Sequence, residues 1–144
     1  MDWIEVNSKE DVDYLNDIFG NFHDSCLKEI YFSSGGYVQE DLSMHALGQP
    51  TARFLFQRQW ENPSVIEIEF RDVIQINIKP EGENEFVDIM IAHLYLYDNI
   101  FFWSARDYEI HEADKDCHTW ISAKSVYWRI RDDFLGNKKI YMQD

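Results

Sequence analysis

Leu94-Tyr-Leu-Tyr97 and Ile100-Phe-Phe-Trp103 flank Asp98-Asn99, and no other stretch of the chain narrows its fold so far. Asp and Asn tolerate the left-handed backbone that a two-residue hairpin turn requires. With that turn in place, Tyr97 opposes Ile100, Leu96 opposes Phe101, Tyr95 opposes Phe102 and Leu94 opposes Trp103. Side chains alternate across a strand, so segment 86–105 becomes apolar on both faces. One face carries Ile89, Ile91, His93, Tyr95, Tyr97, Ile100 and Phe102; the other carries Met90, Ala92, Leu94, Leu96, Phe101 and Trp103. A strand pair of this kind needs two covers. The protein's own core is one, and the second is a curled sheet folding over itself, a second copy of the chain, or a partner protein.

The rest of the sequence supplies one helix and more strand. After a short strand at residues 3–6, Ser8 and Asp11 form an N-terminal cap, Val12, Leu15, Ile18 and Phe19 recur at helical spacing, and Gly20 stops the helix. Glu10, Asp13 and Asp17 fall on its polar side. The period then changes to two. Residues 26–32 alternate, Gly35-Gly36 predicts a hairpin into a second strand over residues 37–47, and Phe54, Phe56 and Trp60 mark a third. Asn62-Pro63-Ser64 turns the chain into a fourth strand, where Ile66, Ile68 and Phe70 alternate with Glu67 and Glu69; Ile74, Ile76 and Ile78 mark a fifth. Trp120, and then Val126, Trp128 and Ile130, give closing strands with Tyr127, Arg129 and Arg131 on the opposite side, and residues 138–141 add a short edge strand.

The expected fold is therefore α+β: one N-terminal helix packed on a largely antiparallel, strongly curved sheet of about 7–9 strands. With 144 residues, 45% of them hydrophobic, and no repeat or Pro/Gly-rich linker, residues 1–144 read as a single domain. The N-terminus carries acids where a secretory signal would carry basic residues, and no apolar run approaches the roughly 20 residues that span a bilayer. A cytoplasmic protein is expected, with Cys26 and Cys117 as unpaired thiols.

The net charge of −14 is unevenly placed. Residues 1–24 hold seven acids and one lysine, and residues 81–116 hold ten acids against Arg106 and Lys115. Phosphate-bearing partners, whether nucleic acid or anionic membrane, are disfavoured by that field; a basic protein partner is favoured, the alternative being that the acids simply keep an aromatic-rich domain in solution. Asp107, Glu109, Glu112, Asp114 and Asp116, with Tyr95, Tyr97 and Phe102 as aromatic anchors, are the expected partner-binding residues.

Catalytic readings are thinner. His111, Cys117 and His118 are metal-capable, but neighbours on an extended chain point to opposite faces, so no metal site and no cofactor is expected. His23, Asp24, Ser25 and Cys26 adjoin in sequence, which does not make a triad; Asp24 or Ser25 is expected to bond backbone groups where helix passes into strand. Glu67 and Glu69 share a strand face about 7 Å apart, a spacing suited to paired-carboxylate hydrolysis and equally to an ordinary solvated face. No catalytic residue is assigned.

The run from Asp17 to Ile30, a capped helix leading through Phe22-His23-Asp24-Ser25 into a strand, resembles the opening of small bacterial immunity-type proteins. The resemblance covers roughly the first third of the chain and implies a stoichiometric inhibitor of a secreted polymorphic toxin, with no catalytic residues to carry over. It also supplies a reason for the acidity, since a basic, nuclease-like toxin cleft would be filled by acids where phosphates otherwise bind. A carbohydrate-binding module and a hydrolase using paired carboxylates are the alternatives.

Overall fold

The computed structural model describes residues 2–106 and 117–142. A short strand, β1 (Ile4–Val6), leads into the helix α1 (Lys9–Ile18). The helix starts where the sequence places it: Ser8 Oγ accepts from the Asp11 N–H at 3.2 Å, and the Asp11 carboxylate accepts from the Asn7 N–H at 2.8 Å. Val12, Leu15 and Phe19 line its buried side, while Glu10, Asp13 and Asp17 are exposed. Gly20, at φ +59°, ends it in the left-handed conformation that costs glycine least.

The remaining strands in chain order are β2 (Ser25–Ser33), β3 (Tyr37–Val38), β4 (Met44–His45), β5 (Thr51–Arg58), β6 (Val65–Asn77), β7 (Asp88–Ile89), β8 (His93–Tyr97), β9 (Ile100–Ser104) and β10 (Trp120–Ile130). Seven of these form one antiparallel sheet in the order β7-β2-β5-β6-β10-β9-β8, and β1 joins it as the eighth strand by pairing the far half of β10 beyond the end of β9. The two edge strands, β7 and β8, are joined by residues 90–92 alone. So short a link reaches at most about 14 Å from Ile89 to His93. The sheet must therefore curl until its edges approach one another.

That curl wraps the core. Leu15, Phe19 and Phe22 pack against Phe54, Phe56, Leu94 and Trp103, all fully buried. Phe22 meets Phe56 and Trp103 edge-on at ring-centroid distances of 4.9 and 5.7 Å, the arrangement aromatic quadrupoles favour. Asn16 is the one polar side chain on the helix's inner side. Its amide receives and returns backbone hydrogen bonds of Leu94 on the edge strand β8, which ties helix to sheet.

The fold is the α+β class read from the sequence, and the β8–β9 hairpin takes the expected register residue for residue, with Asp98 and Asn99 at φ 52° and 63°. Other elements differ. Gly35-Gly36 does not turn β2 into a neighbouring strand; β2 pairs with β5, and the intervening residues form the separate two-stranded ribbon β3–β4. Trp60 is not on a strand but stands 88% exposed in the turn after β5. The expected fourth and fifth strands are one 13-residue strand, β6, whose register shifts against β10 after Asp72 adopts φ 53°. Ile89 leaves the face shared by Tyr95 and joins the core, because β7 pairs with β2 before the chain turns into β8. Residues 138–141 form no strand.

Candidate functional site

The hairpin's two faces have separate fates. Leu94, Phe101 and Trp103 are buried in the core. On the other face Tyr95 and Phe102 stack at 5.2 Å with only 15° between ring planes, His93 lies 5.8 Å from Tyr95, and Tyr97 is 61% exposed. The three aromatics expected to anchor a partner therefore stand together on one surface. The five acids expected beside them, Asp107, Glu109, Glu112, Asp114 and Asp116, lie outside the described residues, as does His111.

Residues 86–91 add an exposed apolar ridge, in which Met90 stands open to solvent and not on the buried face expected for it beside Leu94. Phe86 is 87% exposed and Met90 69%, with Val87 and Ile91 also open to solvent. They are apolar yet unburied, because β7 is only two residues long and holds the chain to β2 at Ser25 and Cys26 alone. Residues 81–105 contain Glu81, Glu83, Glu85, Asp88 and Asp98 and no lysine or arginine. On the helix side, Asp13, Asp17 and Asn21 share a depression with Ile91 and His93. Phe86, Val87, Met90 and Ile91 thus belong to an acidic segment, and they also line a groove with Lys28, Lys79 and Arg106. The sequence signal that could have found this ridge was the pair Phe86-Val87 following an acidic turn too polar to continue a strand.

The convex face of the sheet carries a different cluster. Glu67 and Glu69 do not stand on a solvated strand face. Glu67 has no solvent exposure and accepts from Arg129 at 2.8 Å, from Arg131 at 3.4 Å and from the Tyr141 hydroxyl at 2.6 Å. Glu69 pairs with Arg53 at 2.8 Å and with Arg71. Aromatic rings lie against the guanidinium groups: Trp3 at 4.1 Å from Arg129, and Tyr127 at 3.7 Å from Arg71. Burial and the hydrogen bond to Glu67 push the Tyr141 phenol well above its ordinary range. Carboxylates held this way are acceptors with their lone pairs engaged, and they cover the second face of the sheet with charge where an apolar layer would otherwise be needed.

The tail reaches this face through Glu29. Burial works to raise that carboxyl, but the N–H groups of Ile140 and Tyr141 and the Lys28 ammonium hold it below the usual range. Lys28 also bonds the Lys138 carbonyl.

The helix-to-strand junction is tied to backbone carbonyls. Ser25 Oγ donates to the Phe22 carbonyl at 2.6 Å, and the His23 ring donates through Nδ1 to the Met90 carbonyl at 2.7 Å. His23 Nε2 lies 3.4 Å from the Asp24 carboxylate. These groups secure the link between the helix and residues 90–92. Cys26 and Cys117 are free thiols, and no group of three metal-capable side chains converges among the described residues. No helix there is long and apolar enough to cross a membrane. Compared with protein-family models, curated proteins and solved structures, the chain matches none.

Proposed function

We propose that this protein is a protein-binding module, a cytoplasmic immunity-type inhibitor of bacterial origin that neutralises a basic, nuclease-like toxin domain. The observation that carries the reading is the exposure of Phe86, Val87, Met90 and Ile91 in the same segment as the hairpin face of Tyr95, Tyr97 and Phe102, a segment holding five acids and no lysine or arginine. Exposed apolar patches rimmed by polar groups mark interaction sites, and aromatic side chains are the commonest energetic anchors. The acids contribute steering, since an acidic surface accelerates encounter with a basic partner and repels phosphate-bearing competitors.

The test is binding of basic, nuclease-like toxin domains, measured by calorimetry with the wild type and with Phe86→Ser/Met90→Ser. The reading expects a stoichiometric complex that the double substitution weakens at least tenfold and that rising salt weakens further. Equal affinity of both proteins would remove the ridge from the account.

A further inference from the structure

We infer that the ribbon β3–β4 is a second contact element that enters the cleft of the basic partner tip first, an inference that rests on the protein-binding reading above. Residues 34–49 leave the sheet after β2 and return to it at β5, and the ribbon's two strands pair with each other and with no strand of the main sheet. Tyr37 and His45 oppose one another on one of its faces, Val38 and Met44 on the other. Tyr37, Val38, Leu42, Met44 and Leu47 are each more than half exposed, and no residue from 34 to 49 belongs to the core. A two-stranded hairpin that buries neither face gains little stability from its own side chains. Its apolar residues therefore do nothing for the fold that polar ones could not.

The ribbon is nonetheless held in one shape at both ends. At the base, the Gln49 N–H donates to the Ser34 carbonyl at 3.0 Å, and Gly35, at φ +85°, lies so close that a Cβ there would stand 2.5 Å from the Gln49 nitrogen. The Val73 N–H donates to the Pro50 carbonyl at 3.0 Å and ties the exit to β6. At the tip, the Gln39 N–H donates to the Ser43 carbonyl at 2.8 Å and the Leu42 N–H to the Gln39 carbonyl at 2.9 Å. The Asp41 carboxylate accepts from the Ser43 N–H at 2.9 Å and from its hydroxyl at 2.5 Å. Leu42 is thereby fixed at φ 73°, a conformation that bulky residues rarely adopt, with its side chain in solvent. A preformed tip of this kind costs the fold some strain and lowers the ordering cost of binding.

Charge and shape select a basic cleft. Between Lys28 and Arg53 the chain carries no lysine or arginine. Glu40 and Asp41 stand exposed at the turn, and the apolar side chains of Tyr37, Val38, Leu42 and Met44 flank them. Acids at the tip meet the cations that hold substrate phosphates in a nuclease-like cleft, while the flanks pack against its walls. Two strands about 4.8 Å apart make an element narrow enough to enter a cleft shaped for nucleic acid.

The probes are basic, nuclease-like toxin domains, titrated into the full chain as wild type, Leu42→Ser/Met44→Ser, Glu40→Gln/Asp41→Asn and Phe86→Ser/Met90→Ser. Nuclease activity and displacement by a short single-stranded DNA are read alongside. Cleft entry predicts at least tenfold weaker binding of Leu42→Ser/Met44→Ser, with the nuclease freed from inhibition and the variant's denaturation midpoint unchanged. Glu40→Gln/Asp41→Asn should bind about fivefold more weakly and with a flatter salt dependence, and the DNA should displace the wild type. Wild-type affinity in both ribbon variants, or a complex that the DNA leaves intact, would overturn cleft entry. Loss of binding confined to Phe86→Ser/Met90→Ser would overturn it too, while leaving the protein-binding reading in place. A wild type that binds none of the domains would end both.

Discussion

The side-chain amide of Asn16 completes the backbone hydrogen bonding of Leu94: Nδ2 donates to the Leu94 carbonyl at 2.7 Å and Oδ1 accepts from its N–H at 2.9 Å. A helix side chain thus acts as the missing neighbour of an edge strand. β8 is the strand that carries half-buried Tyr95 and exposed Tyr97, so this pair sets the position of that hairpin face against the core.

Replacing Asn16 with Asp keeps the acceptor and turns the donor into a second oxygen facing a carbonyl. Leaving that buried carbonyl unsatisfied, with repulsion added, costs about 3 kcal/mol at neutral pH. Folding then favours the protonated carboxyl, whose pKa is raised in the native state. The lost stability returns as pH falls toward and below about 4. Urea denaturation of wild type and Asn16→Asp at pH 7 and pH 4 checks this; a gap that does not narrow in acid contradicts it.

Tyr141 and Glu67 make the second checkable pair. Removing the hydroxyl in Tyr141→Phe leaves one oxygen of a buried carboxylate short of a donor, at a cost of about 2 kcal/mol for a hydrogen bond to a charged acceptor. Because the native phenol titrates above its ordinary pKa, its contribution is full below pH 10 and falls once pH rises past the unfolded-state value of about 10. Wild-type stability should therefore decline above pH 10 more steeply than that of Tyr141→Phe. Parallel decline in the two proteins would show that the hydrogen bond is not felt.

The tail should respond to acid through Glu29, whose native pKa is lowered. A lowered carboxyl contributes stability above its unfolded value of about 4.3, and that stability is lost as pH falls through the native pKa. The amides of Ile140 and Tyr141 should lose protection from exchange in that window, before the core amides of β5 and β6 do. Release of both sets at the same pH would mean the tail is held by something other than Glu29.

How far the chain was legible depended on whether the deciding partners were local. The β8–β9 hairpin could be read because Asp98 and Asn99 alone settle its turn and hence its register. The helix could be read because its cap is Ser8 with Asp11. Gly35-Gly36 misled because a turn signal does not say which strand lies beyond it; the ribbon β3–β4 was inserted before β5 returned to pair with β2. β6 was read as two strands because its continuity rests on pairing with β10, some fifty residues away. Glu67 and Glu69 looked like a solvated face because their burial depends on Arg53, Arg129, Arg131 and Tyr141 from three other segments. The aromatic half of the expected binding surface was visible in the alternation of the hairpin, and the exposed ridge at Phe86 and Met90 was not, since only the shortness of β7 leaves it uncovered.

Exposure also separates binding from folding at that ridge. Phe86 and Met90 contribute little to the core, so Phe86→Ser/Met90→Ser should unfold within about 0.5 kcal/mol of the wild type. A larger loss would mean the ridge supports the fold.

The most direct test of the account is the affinity of that folded double variant for a basic, nuclease-like toxin domain that the wild type binds, with Tyr97→Ala measured in parallel. An interface built on the ridge and the hairpin face predicts at least a tenfold rise in Kd for the double variant and a smaller rise for Tyr97→Ala. Wild-type affinity in both variants would contradict it.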